Sequence, residues 1–316
     1  MASFGYTLRK MWNKKRDDLR QEKYTREHDI LFKKNTAEKI IFGVVFAILV
    51  LFTISFIFPF VWILLNSFRA SATEFDLKPM GWPSELTGAN FVEAFTMRNA
   101  ATKNMTILEM LGMTIIIAGL GTVVTVFTSS TAAYVVAKYK FFGRNLIFSV
   151  VIFSLIVPIV GSLPSQMQIM KEVLHLDNTV IGCIFIYSGG FGGNFLLLYS
   201  FFTNLSWTYV EAARIDGAND FRIFFRIIIP MAKGPIIAIT IIQLIGLWND
   251  YQTPSLYLPN KPTLAVGLQY LFDKMASYSY PVLFATIIIA ILPILLLFTV
   301  FSKTIMENTS VGGLKG

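Results

Sequence analysis

The chain has 316 residues, 54% of them hydrophobic and only 15% charged, with a mean hydropathy of +0.61. Soluble domains carry roughly 25% charged residues, so this composition excludes an ordinary soluble enzyme, a disordered chain and a disulfide scaffold. One cysteine, Cys183, closes no internal disulfide, and two histidines beside it give little material for a transition-metal site, so no metal is expected. The net charge of +8 is informative only through where the charges sit.

In chain order, residues 1–39 mix 11 basic with 6 acidic side chains and read as a solvated basic tail. Six stretches then approach or exceed the ~20 apolar residues a bilayer crossing takes. They are Ile40–Leu65, Met110–Ala137, Asn145–Met170, Asn178–Val210 (apolar over Val180–Phe202), Ile227–Asn249 and Pro281–Ser302. The first lies too far behind a charged tail to be a cleaved signal peptide. Segment 66–105, with Pro79, Gly81, Trp82 and Pro83, reads as a loop with short helices. The third stretch holds Pro158, Gly161 and Pro164, which kink or end it. The fourth holds Gly189, Gly190, Gly192 and Gly193, a cluster that either permits close helix packing or marks an unwound point along a passage. Lys233 falls inside the fifth, where a lysine near a helix end reaches the headgroups. The expected fold is therefore an all-α membrane protein with six transmembrane helices and no internal repeat.

Orientation follows from the loops. With both termini cytoplasmic, 20 of the 27 basic residues lie inside and 7 outside, and the net charges of the two sides are +10 and −2. The positive-inside rule thus places both ends in the cytoplasm. The basic excess belongs to topology and anionic lipid, not to nucleic acid.

Between the fourth and fifth stretches lies Glu211-Ala212-Ala213-Arg214-Ile215-Asp216-Gly217-Ala218, followed by an amphipathic run to Pro230. Trp207 to Asp216 reads as a short helix with small packing positions, and Gly217 as its stop, because a left-handed backbone is cheap only for glycine. Two short helices around that elbow make a compact cytoplasmic knob. At these residues the chain resembles the transmembrane subunits of binding-protein-dependent ABC importers. Their signature is Glu-Ala-Ala, three residues, Gly, nine residues, then Ile-x-Leu-Pro. Glu211, Ala212, Ala213, Gly217, Ile227 and Pro230 fall at that spacing, with Ile229 in place of Leu, and Asp216 and Ala218 complete the form most similar to the carbohydrate-uptake branch, the maltose-type second permease family. Ala132-Ala133-Tyr134, Phe142-Gly143-Arg144, Trp248-Asn249-Asp250 and the tail Gly312-Gly313-Leu314-Lys315-Gly316 agree with it.

The resemblance implies a type I importer permease fold in a bacterial plasma membrane, with a transmembrane domain over 106–305, a C-terminal tail over 306–316, and the Glu211–Ala218 elbow as a coupling helix. It implies four kinds of partner: a second homologous permease, two cytoplasmic ABC ATPases, an extracellular sugar-binding protein, and membrane lipid. The chain lacks a Gly-x4-Gly-Lys-Ser/Thr loop, so it is expected to be no enzyme and to bind no cofactor, with ATP and Mg on the ATPase subunits. For the substrate, polar groups near membrane helices are the candidates: Asn194, Gln243, Trp248, Asn249 and Asp250. Asn194 and Gln243 serve equally as an interhelical hydrogen bond, and Trp248 is read first as an anchor in the interfacial belt. The expected cargo is a sugar or oligosaccharide. The alternatives are another solute, such as glycerol phosphate or a peptide, and a secondary transporter, which would favour charged side chains at membrane mid-depth; the six stretches carry none there.

Overall fold

The computed structural model describes residues 36–98, 102–157, 162–273 and 279–309. Residues 1–35 of the basic tail, Pro158 and Gly161 of the third stretch, and the terminal Gly312–Gly316 lie outside the described residues. The chain divides into two compact units, 1–61 and 62–316. In the first, residues 36–61 belong to helix α1 (Thr36–Ser67), and their described side chains are exposed, as apolar positions such as Phe46 and Leu51 require of a lipid-facing surface.

The second unit begins with an outer segment organised by Arg69, which is 0% exposed. Its guanidinium donates to the carbonyls of Glu74, Lys78 and Gly81 and faces the Glu74 carboxylate at 3.6 Å, which fixes short helix α2 (Ala72–Leu77). Helix α3 (Ala89–Thr96) follows, its Asn90 donating to the carbonyls of Ser67 and Arg69 at 2.9 Å. Helix α4 (Ile107–Lys138) is the longest uninterrupted element of this unit. A capping box starts it: the Thr106 hydroxyl accepts from the Glu109 N–H and the Glu109 carboxylate accepts from the Thr106 N–H.

The third and fourth stretches are each built from more than one helix, as the prolines of the third and one of the two readings of the glycine cluster in the fourth lead one to expect. The third is built from α5 (Arg144–Ile156) and α6 (Ser162–Gln168), continued by a π-helical turn over Ile169–Val173. Pro164 sits in the first turn of α6, where a missing N–H costs nothing. The fourth is built from α7 (Val180–Tyr187) and α8 (Gly193–Asn204), with the glycine cluster forming the break. Hydropathy measures how apolar a stretch is and carries no record of where its helix is interrupted.

Beyond α9 (Thr208–Ile215) and α10 (Asp220–Ile223), a π-helical turn at Phe224–Ile228 and the short α11 (Ile229–Met231) lead into α12 (Lys233–Asn249). The run Asp220–Met231 meets α12 at 80°, so the fifth stretch is not one straight helix, and Ile227–Met231 lies on the other side of the bend from Lys233–Asn249. Helices α13 (Gln252–Tyr257) and α14 (Leu264–Asp273) lie outside it, and α15 (Tyr280–Thr309) closes the described chain. Among the described residues, Glu38–Ser67, Ile107–Lys138 and Tyr280–Ser302 are each long and apolar enough to cross a membrane alone, and the bent pair, counted as one span, makes a fourth. Helix α4 is the centre of the second unit, packed against α8, α12 and α7, while α15 packs against α12 and α3.

Candidate functional site

Helix α9 ends in the two hydrogen bonds of a Schellman motif: the Gly217 N–H donates to the Arg214 carbonyl at 3.0 Å and the Ala218 N–H to the Ala213 carbonyl at 2.9 Å. This closure requires a left-handed residue, and Gly217 supplies it at φ +77°. Nothing lies within 4 Å of where a Cβ would stand, so the demand for glycine here is conformational and not one of space. Ala213 and Ala218 meet under the motif as members of one apolar cluster with Tyr134, Phe202, Val210 and Phe224. Asn219 then caps α10, its side-chain oxygen accepting from the Arg222 N–H at 2.9 Å. The Arg214 guanidinium donates to Asp220 at 2.9 Å across the elbow, and that carboxylate pushes the arginine's pKa further up.

The motif residues divide between two faces. Ala213 is buried, Ala218 and Ile227 are partly buried against the same cluster, and they seat the knob on the membrane core. Glu211, Ala212, Asp216, Gly217 and Pro230 are exposed. Ala213 therefore packs within its own chain and does not meet another surface, a distinction that Glu-Ala-Ala as a string conceals. Among the described residues no group hydrogen-bonds to the Glu211 carboxylate. Two large apolar side chains that the sequence reading passed over flank the elbow: Ile215, 86% exposed, and Phe221, 78% exposed. The signal that could have found them is their position, since Val210 and Ala213 define the inward stripe of α9 and Ile215 falls off it.

The polar residues proposed for a pathway separate as well. Asn194, in the first turn of α8 just past the break, donates to Gln243 of α12 at 2.8 Å. Both side chains are partly exposed. Asn249 is exposed and donates to the Ile245 carbonyl of its own helix at 2.8 Å. Asp250 accepts from the Tyr187 hydroxyl at 2.9 Å and from the Thr253 N–H at 3.0 Å, tying the end of α12 to α7. Trp248 is only 8% exposed and packs with Ala118 and Leu247 against Tyr187 and Ile294, so it is a helix-packing residue and not an interfacial anchor. Asn194 and Gln243 are thus brought together, Asp250 joins a separate network, and Asn249 joins neither. Missed by the sequence reading is a row of buried hydroxyls on α4. Thr122 and Ser130 have no hydrogen-bond partner among the described residues, and Thr125 lies 2.8 Å from the Tyr187 carbonyl. The glycine cluster resolves into two roles. A Cβ on Gly190 would stand 3.1 Å from the Thr128 carbonyl of α4, whereas Gly189, Gly192 and Gly193 have open space.

Residues 129–306 match the family described as binding-protein-dependent transport system inner membrane component. The chain is 30% identical over 271 residues to the diacetylchitobiose uptake system permease protein of Streptomyces coelicolor, covering 84% of this chain and 86% of that one. It is 36% identical over 200 residues to the arabinooligosaccharides transport system permease protein of Bacillus subtilis, covering 62% and 69%. The sulfoquinovosyl glycerol transport system permease protein of Agrobacterium fabrum is 28% identical over 82% of this chain and 89% of its own length. In fold, the chain aligns with a chain of a bacterial ABC transporter that imports the acidic polysaccharide alginate, with a TM-score of 0.69 over 85% of this chain and 98% of the other at 23% identity.

Proposed function

The chain belongs to the binding-protein-dependent transport system inner membrane components, and from that premise we propose that it forms the membrane pathway for a sugar or oligosaccharide delivered by an extracellular binding protein. It is a multi-pass permease subunit of the bacterial plasma membrane. The observation that carries the reading is the elbow itself: a helix stop built on Gly217 that holds Glu211, Ile215 and Phe221 outward on a knob anchored by Val210, Ala213 and Ile223. A rigid, exposed knob with the Glu211 carboxylate and two apolar side chains on its surface is suited to dock in the cleft of a separate ATPase, which supplies ATP and Mg. The saccharide cargo rests on the names of the relatives, and an amide pair at a helix break, Asn194 with Gln243, is suited to a wet passage that presents hydrogen-bond groups to hydroxyls. In this reading both termini are cytoplasmic, a second homologous permease completes the passage, and two ATPase subunits dock from below.

The test exchanges Glu211→Lys and Gly217→Val in the assembled importer. Both variants should reach the membrane in normal amount, lose co-purification with the ATPase and lose uptake. Full uptake by both would remove the elbow from the coupling role.

A further inference from the structure

The ends of two membrane segments meet over a cavity of about 340 Å³ lined by Lys138, Tyr139, Lys140, Trp207 and Arg214. That volume is roughly ten times the ~30 Å³ share of one water. Lys138 is the last residue of α4, partly buried, and its ammonium donates to the Leu205 carbonyl just past α8. Lys140, two residues on, is exposed. Among the described residues, no carboxylate forms an ion pair with either lysine. Asp220 is engaged with the cavity's Arg214 at 2.9 Å. The wall is aromatic: Tyr139 and Trp207 stand edge to face at 6.0 Å, and the Arg214 guanidinium lies over the Trp207 ring at 5.6 Å.

Helix-end lysines and Trp or Tyr rings mark the level of the headgroups. The loop charges assign this end of α4 to the cytoplasm, where the leaflet is anionic and basic pockets between membrane helices hold lipid headgroups. We propose that this cavity is a phosphate-binding site, taken in the membrane by the headgroup of an anionic phospholipid, with Lys138 and Lys140 facing the phosphate oxygens. Arg214 is shared between that anion and Asp220, so the site adjoins the Gly217 elbow directly.

The experiment takes the assembled importer from phosphatidylcholine vesicles made with or without phosphatidylglycerol and counts retained lipids by native mass spectrometry. A parallel arm adds inorganic phosphate to the lipid-stripped complex and follows it by phosphorus NMR. Neither arm contains a saccharide, so failure here leaves the transport reading intact. A basic residue near an anionic surface contributes about five-fold to binding. The expected result is therefore retention of phosphatidylglycerol over phosphatidylcholine that falls about five-fold in Lys140→Gln and about 30-fold in Lys138→Gln/Lys140→Gln. Lys261→Gln, an exposed lysine elsewhere, should change nothing. Because Lys138 also supports the chain at Leu205, the exposed Lys140 carries the test if the double variant does not assemble. Binding of inorganic phosphate that is lost in Lys140→Gln, without lipid preference, supports the phosphate site and names a soluble source. Equal retention of both lipids with no phosphate bound, or anion binding unchanged in Lys140→Gln, overturns the proposal. So does loss of ATPase association in Lys140→Gln with neither anion retained, which would make the occupant an acidic side chain of the partner.

Discussion

At Gly217 the backbone sits at φ +77° with no atom near a Cβ, and this combination makes a sharp prediction. A left-handed conformation costs an ordinary L-residue roughly 1–2 kcal/mol, while asparagine visits it readily. Gly217→Asn should therefore keep the elbow and the ATPase association, and Gly217→Val should lose both; pull-down of the ATPase by each variant is the measurement. Were space the constraint, the two would fail alike. A second residue-scale prediction concerns Asn194 and Gln243, 2.8 Å apart. Hydrogen bonds between membrane helices couple by ~0.6 kcal/mol on average and up to ~1.7. A double-mutant cycle with Asn194→Ala and Gln243→Ala, read on complex stability, should return a coupling in that range. Zero coupling would mean that the two amides act independently, each toward substrate. At this scale much of the elbow was legible, because Gly217 and its small neighbours leave a spaced signature. Which alanine faces inward was not legible, since Ala212 and Ala213 are one residue type on two faces of α9.

The elements carry their own lessons. Apolar length marks candidate membrane segments, and residue type marks their interruptions: the α7–α8 break falls at the glycine cluster, one of the two roles the sequence left open for it. The 80° bend ahead of α12 lies where a π-helical turn at Phe224–Ile228 precedes Pro230. Such bulges recur at functional sites. The break gives a paired prediction. Gly190→Val drives a side chain toward the Thr128 carbonyl and should destabilise the assembled protein by about 1–3 kcal/mol, the usual range for overpacking. Gly189→Ala, with open space around it, should stay within ~0.5 kcal/mol; thermal denaturation of the complex measures both.

The outer segment 69–86 offers a pH test at the same scale. Glu74 is held below the usual carboxylate range chiefly by hydrogen bonds from the Ser84 N–H and hydroxyl, with a further contribution from Arg69. A lowered folded pKa means that the contribution is present above the unfolded value and lost as pH falls through the folded one. Amide protection over 69–86, taken relative to the intrinsic exchange rate at each pH, should fall on acidification below the usual glutamate pKa, and Glu74→Gln should show no such step.

For the molecule as a whole, topology and coupling are separate claims with separate checks. The distribution of basic residues predicts residue 177 outside and residue 310 inside. Cys183 is 0% exposed, so single cysteines at Asp177 and Ser310 report without interference. In intact cells an impermeant thiol reagent should label the first and spare the second. The central claim is that the Gly217 elbow is the contact through which this permease is driven, and it is tested most directly at Ile215, the 86% exposed side chain beside that elbow. With Ile215→Cys in the assembled importer, a short bifunctional thiol-to-amine reagent should join this chain to its ATPase subunit, at a yield that changes when ATP is added. Full assembly and transport with no cross-link from position 215, with or without ATP, would contradict it.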